Sequence, residues 1–326
     1  MSRRIPKDII RADSVVKILG NRVILYDVNL DVKQGEILGI IGASGSGKTT
    51  LLRTLIGFFK PEKGDVLIRS SLVPGHSHEL YTSISRNPDE AKRVFGFASQ
   101  HPSVYLELSA EENLSYFATL HGLPKQEREK TADILLSLMD LQPARKTLGA
   151  NLSGGMQRRL DIACAMIHRP KVLILDEPTA DLDPFLRQHI WDMIRKINEQ
   201  GTTVIVSSHQ LADVEMICDR VAIVHQGKIV AVNSPDRIKK QFLKTETIRI
   251  QTYPGRYANL KKMLDHRSII NVDIEGQQMV ITTTNAEAST QQLLRIVQEA
   301  KESVTSINVI SSSLDEVFLQ LTEENE

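Results

Sequence analysis

The octet Gly42-Ala43-Ser44-Gly45-Ser46-Gly47-Lys48-Thr49 constrains this chain more than any other stretch, because it fits GxxxxGK[ST] in a setting that gives the pattern meaning. The wholly apolar run ILGII comes directly before it, and TTLLRTLIGFF, apolar at helical spacing, comes after it. Strand, glycine loop and helix in that order let main-chain N–H groups and a helix N-terminus wrap an anion, which points to a triphosphate. Lys48 supplies a point charge to the β- and γ-phosphates, the Thr49 hydroxyl is placed to ligate Mg²⁺, and Thr50 continues the cradle. The helix is expected to stop at Lys60-Pro61, where proline forbids continuation.

At 326 residues the chain is too long for one ordinary domain and comfortable for two. Forty Lys plus Arg balance forty Asp plus Glu, which argues against bulk nucleic acid or an anionic lipid surface as the main partner. With 41% hydrophobic and 25% charged residues, the chain is of soluble globular type. Its two cysteines, Cys164 and Cys218, lie in apolar stretches that suit buried hydrophobes in a reducing compartment better than a disulfide or metal site. No run approaches the 18 or so apolar residues that span a bilayer, so any membrane part is supplied by another chain. The start, MSRRIPKDII, lacks the apolar core of a secretory signal and is expected to lead straight into a strand in the cytoplasm.

Residues 23–41 read as strand, turn and strand, and SSLVPGHSHELYTSISRNPDE as an exposed excursion between two strands. From Leu108 to Arg169 the pattern is helical with polar breaks. KVLILDEP is then a buried strand, FLRQHIWDMIRKINEQG a helix ended by Gly201, and TTVIVSSH another buried strand. Such alternation means a parallel sheet covered by helices. A boundary is expected near residue 240, giving domains 1–240 and 241–326. The second reads βαββαβ, the ferredoxin-like order.

Asp176 and Glu177 follow the strand VLIL, so two carboxylates emerge at the carboxyl end of a sheet strand, where open α/β folds bind ligands. Asp176 can hold Mg²⁺ and Glu177 can polarise an attacking water. In Leu152-Ser153-Gly154-Gly155-Met156-Gln157, Ser153 can cap a helix while the glycines let backbone N–H groups approach a phosphate; alone, the run signals no more than a helix start.

These residues carry a family resemblance. LSGGM resembles the ABC-transporter signature, normally LSGGQ, and precedes the VLILDE strand as in that family; over about residues 8–240 the chain is similar to an ABC ATP-binding subunit. The resemblance implies an α/β P-loop cassette with a helical subdomain, ATP and Mg²⁺ as ligands, and Mg-dependent ATP hydrolysis. It makes Lys48, Glu177 and His209 catalytic, and gives the metal to Thr49, Gln100 and Asp176. Gln100, ending VFGFASQ, matches the Q-loop glutamine; Asp183 in TADLDP matches the D-loop aspartate between subunits; His209, ending VIVSSH, matches the switch histidine. Ser153, Gly154 and Gly155 of one copy would close on nucleotide held by another, so the implied partners are a second copy and a membrane-spanning permease, with no nucleic acid.

Met156 replaces the usual signature glutamine, and GGMQRRLDIA, PTADLDP and the ending SLDEVF look most similar to the drug-resistance, polysaccharide and glycolipid exporter branch. Where that family usually stacks an aromatic on adenine, Lys17-Ile18-Leu19-Gly20 offers Leu19, which gives apolar contact without π-stacking. His76 and His78 in the long excursion read as solvated, and Leu314, Val317, Phe318 and Leu321 as a packing stripe. The expectation is an exporter's ATPase subunit, peripheral on the inner face of the cell membrane. The alternative, a soluble ABC ATPase acting on ribosome or DNA, usually shows a second cassette, coiled coil or zinc module absent from this sequence. A nucleotide-dead scaffold conflicts with an intact Lys48, Asp176, Glu177 and His209.

Overall fold

The structure, a computed structural model, describes residues 8–73, 80–86, 88–242, 245–264, 267–310 and 314–323. The chain divides into two units, Met1–Ser234 and Pro235–Glu326. The first begins β1 (Asp8–Leu19), β2 (Arg22–Lys33), β3 (Ile37–Ile41), α1 (Lys48–Leu55), β4 (Lys63–Arg69), β5 (Tyr81–Ser83), α2 (Pro88–Lys92) and β6 (Phe95–Ala98). Three helices follow, α3 (Ala110–Leu120), α4 (Lys125–Leu138) and α5 (Gly154–Met166). The unit ends with β7 (Val172–Asp176), α6 (Pro184–Glu199), β8 (Thr203–Ser208), α7 (Leu211–Ile217), β9 (Arg220–His225) and β10 (Lys228–Asn233).

Two sheets result. One is antiparallel, β2-β1-β4-β5; the other runs β10-β9-β3-β8-β7-β6 and is parallel except at the β9–β10 edge. Every residue of ILGII, VLILD and TVIVSS is buried, as central strands covered on both faces require. Leu51, Leu52 and Leu55 of α1 share one core with Ile10, Ile68 and Ile174, drawn from both sheets. Each such leucine contributes about 1.5–3 kcal/mol by leaving water. Cys164 and Cys218 are buried free thiols, both pushed up by burial, and Cys218 packs where a Cβ on Gly39 would meet its Sγ at 2.9 Å.

Two local expectations are corrected. Helix α1 ends at Leu55, well before Pro61, because Gly57 (φ +76°) adopts the left-handed conformation that closes it. Gly57 N–H donates to Thr54 O at 3.0 Å and Phe58 N–H to Arg53 O at 2.9 Å, the paired bonds of a Schellman cap. The stretch expected to be an exposed excursion contains β5, paired with β4, and buries Val73, Thr82, Ser83 and Ile84. The three residues Tyr81, Thr82 and Ser83 are too short a pattern to stand out among Gly, Pro and Ser, yet suffice to extend an existing sheet edge. His76 and His78 lie outside the described residues.

The second unit runs α8 (Pro235–Phe242), β11 (Glu246–Tyr253), α9 (Tyr257–Met263), β12 (Ile269–Glu275), β13 (Gln278–Thr283), α10 (Ala286–Glu299), β14 (Ser303–Ile310) and α11 (Leu314–Glu323). The expected boundary near 240 thus falls inside α8, which starts at Pro235, a residue suited to a first helical turn. Its sheet, β12-β13-β11-β14, is antiparallel throughout and has the ferredoxin-like order. Ile248, Ile250, Leu260, Ile281 and Leu293 form its core. Leu314 and Val317 are fully buried and Phe318 half-buried, so these three do form a packing stripe; the Leu321 side chain lies outside the described residues.

Candidate functional site

Strands β3, β8, β7 and β6 are neighbours in that order, so their carboxyl ends bring the glycine loop, His209, the Asp176–Glu177 pair and Gln100 to one edge of the sheet. The register is direct: Ile41 pairs with Ser208 and Asp176 with Ser207. The loop's shape needs its glycines. A Cβ on Gly42 would stand 2.3 Å from Val224 O and 2.5 Å from Ser46 Oγ, and Gly47 has φ +107° at the start of α1.

A cleft of about 460 Å³ is lined by Ser44, Gly45, Gly47, Lys48, Thr49 and Thr50 on one side and by Gln100, Glu177 and His209 on the other. Lys48 Nζ donates to Gly42 O at 2.8 Å and Ala43 O at 3.1 Å, and lies 3.7 Å from Glu177 Oε1. Glu177 Oε2 accepts from His209 Nδ1 at 2.8 Å and from its backbone N–H at 3.3 Å. Both Lys48 and Glu177 are buried, whereas the His209 side chain is 56% exposed, so the histidine can turn while the other two are held. Beneath them Asp176, 1% exposed, accepts from Ser207 Oγ at 2.6 Å, and that same hydroxyl receives the Glu177 N–H at 3.0 Å.

The residues fit Mg²⁺ and a triphosphate. Thr49, Gln100 and Asp176 offer oxygen donors suited to a hard cation, and Ser46 Oγ is buried in the loop without a hydrogen-bond partner. Among the described residues no three His, Cys, Asp or Glu side chains are grouped to hold a metal.

The other predicted residues lie elsewhere. Ser153 caps α5 by accepting from Met156 N–H at 3.3 Å; it and Gly154 are exposed, Gly155 is buried, and none lines the cleft. Asp183 Oδ1 caps α6, accepting from Phe185 and Leu186 N–H at 2.9 and 3.0 Å. Leu19, 37% exposed at the β1–β2 hairpin, does not line the cleft either; Ile24 of β2 does. Ile24 and Ser207 escaped the sequence reading: each sits in an ordinary strand pattern, and only register aims it at the site.

Fold and site together define a P-loop nucleotide-binding cassette of the ABC type. The ABC transporter family matches residues 25–180, and the C-terminal domain of DrrA1-3-like ATP-binding proteins matches residues 234–322. The chain is 30% identical over 313 residues to the daunorubicin resistance ATP-binding protein DrrA3 of Streptomyces coeruleorubidus, covering 96% of this chain and 95% of that one. It is 29% identical over 325 residues to the linearmycin resistance ATP-binding protein LnrL of Bacillus subtilis (96% and 98% covered). The Nod factor export ATP-binding protein I of Sinorhizobium fredii is 29% identical over 318 residues (96% and 85%). Among solved structures, an ATP-binding subunit of an ABC transporter superposes with TM-score 0.62 at 28% identity, covering 72% of this chain and 93% of that one. A dimeric post-hydrolysis ATP-binding cassette with ADP and Pi gives TM-score 0.59 at 28% identity (69% and 98%). The chain belongs to the ABC transporter ATP-binding proteins and is an ATPase of that family. Among the described residues no helix is long and apolar enough to cross a membrane.

Proposed function

We propose that this chain powers export through a separate membrane-spanning permease, as one of two copies that sandwich two ATP molecules. The observation that carries the reading is the split site: Lys48, Glu177 and His209 share one cleft, while Ser153 and Gly154 stand exposed at the start of α5, ready for nucleotide held elsewhere. The drug-resistance and Nod-factor relatives, and the match of the second unit to their C-terminal domain, support export over import. The second unit, 241–326 in the sequence reading and from Pro235 here, serves as an accessory dimer or regulatory domain.

Thr49, Gln100 and Asp176 would hold Mg²⁺, which would supply positive charge to offset that of the phosphate oxygens. Lys48 exchanges the Gly42 and Ala43 carbonyls for phosphate oxygens. Glu177, already held on two sides, orients the attacking water and takes its proton at the carboxylate. In the present contact His209 Nδ1 donates to Glu177, so a ring hydrogen bond to the γ-phosphate would need a proton on Nε2 as well. Ser153 of the second copy adds a hydroxyl to the developing charge. Closing and reopening follow from the difference in affinity before and after the γ-phosphate leaves. Cytoplasmic placement on the inner membrane face follows from the permease.

The test is to tag the chain in its native host, extract membranes in mild detergent and identify what co-purifies. A polytopic membrane protein in stoichiometric amount is the expected result. Recovery with ribosomes or DNA instead would replace the transporter reading.

A further inference from the structure

Arg158, in the second turn of α5, is 4% exposed, and its guanidinium is surrounded by carbonyls of the catalytic strands. Nε donates to Pro178 O at 2.9 Å, Nη2 to Asp176 O at 2.9 Å and Glu177 O at 2.8 Å, and Nη1 to Ser99 O. Nη1 is also 3.4 Å from Asp161 Oδ2, one helical turn on. Asp161 is itself 4% exposed, and its Oδ1 accepts the Ser103 N–H at 2.8 Å. One buried ion pair therefore touches three consecutive residues at the end of β7 and both sides of Gln100.

Burying a guanidinium is costly unless every donor is used, and replacing such a pair by apolar side chains is often neutral for stability. Packing alone does not call for a cation here. What the fork does is fix backbone that is otherwise unfavourable: Glu177 has φ +49°, in the left-handed region, and its peptide is held by Ser207 on the N–H side and Arg158 on the carbonyl side. The planar, five-donor geometry of arginine suits such a task and an ammonium does not.

We infer that Arg158, oriented by Asp161, is a positioning residue for hydrolysis: it holds the Glu177 peptide and the Gln100 loop in one fixed relation to the signature helix. Any shift of α5 driven by a second copy at Ser153 then moves the water-orienting carboxylate and Gln100 together. The inference rests on reading Glu177 as the base.

The test uses the full chain and the variants Arg158→Met, Arg158→Lys, Asp161→Asn, Glu177→Gln and Arg158→Met/Glu177→Gln. Single-turnover hydrolysis of radiolabelled ATP, the affinity for a fluorescent ATP analogue and the urea midpoint are measured for each. Arg158→Met is expected to slow hydrolysis roughly 10- to 100-fold, as for a misplaced reacting group, with Arg158→Lys and Asp161→Asn between it and wild type. Analogue affinity is expected to stay within about threefold, and the double variant to be no slower than Glu177→Gln alone. Rates of Arg158→Met, or of Arg158→Lys if the former does not fold, within about threefold of wild type overturn the inference while Glu177→Gln is inactive. So does a loss that multiplies in the double variant, or one that tracks analogue affinity and urea midpoint together. A fully active Glu177→Gln overturns instead the reading of Glu177 on which it rests.

Discussion

Glu177 Oε2 and His209 Nδ1 stand 2.8 Å apart across the mouth of the cleft, with Lys48 Nζ 3.7 Å from the other carboxylate oxygen. The carboxylate is thus fixed between two cationic or proton-donating groups. Exchanging it for an amide keeps the shape and removes the base. Glu177→Gln is expected to lower kcat by roughly 100- to 10,000-fold with nucleotide affinity retained, and His209→Ala to lower kcat by a smaller factor. Steady-state phosphate release and analogue binding on the same preparations check both.

Ser207 is fully buried and serves two neighbours, donating to Asp176 Oδ1 and accepting from Glu177 N–H. Ser207→Ala leaves both without that partner, at a cost of about 1–3 kcal/mol for each buried group so stranded. The expected result is a lower urea midpoint together with a lower kcat. An unchanged midpoint would mean that water replaces the hydroxyl and that the bridge is not structural.

Gly57 and Gly154 should part company. At Gly57 the left-handed φ and Ile84 Cγ2, 2.5 Å from a Cβ, oppose alanine, so Gly57→Ala should cost about 1–3 kcal/mol. At Gly154 a Cβ meets nothing within 4 Å, so Gly154→Ala should leave stability within about 0.5 kcal/mol. If that face closes on a second copy, the same silent substitution should still lower ATPase activity. Urea unfolding and ATPase rates on both variants separate the two effects.

Asp161 and His168 line one apolar cavity of about 310 Å³ beside Phe97 and Phe117, and they titrate in opposite senses. Burial pushes Asp161 up to about 6; burial first, then the stacked His121 ring at 3.8 Å, pushes His168 down to about 4. The contribution of Asp161 is fully present below its ordinary value of 3.8 and is lost as pH rises through 6. That of His168 is fully present above 6.5 and is lost as pH falls through 4. Each is worth at most about 3 kcal/mol, and in the wild type they largely offset. Between pH 7 and pH 4.5, Asp161→Asn should therefore lose stability relative to wild type and His168→Gln should gain. Differences that do not change with pH would contradict both assignments.

The octet at Gly42, the carboxylates after VLIL and the run at Ser153 were legible because each is a contiguous string whose chemistry depends on local order. Ser207 and Ile24 were not, because their contacts arise from register between strands distant in sequence. Leu19 is legible by its place before the octet, at the β1–β2 hairpin, whereas Ile24, which lines the cleft, sits in an ordinary strand pattern. Pro61 is the strong breaker that the sequence offers for the end of α1, yet the weaker-looking Gly57 acts first. The ferredoxin-like unit followed from periodicity, since its strands and helices alternate without long insertions. Its boundary did not, because Pro235 opens a helix that belongs to the second unit.

The central claim is that two copies close on ATP, each completing the other's site. Sedimentation of Glu177→Gln, with and without saturating MgATP, tests it most directly. The account predicts a monomer without nucleotide, a stable dimer with MgATP, and loss of that dimer when Ser153 is replaced by arginine. A Glu177→Gln chain that binds MgATP and still sediments as a monomer would contradict it.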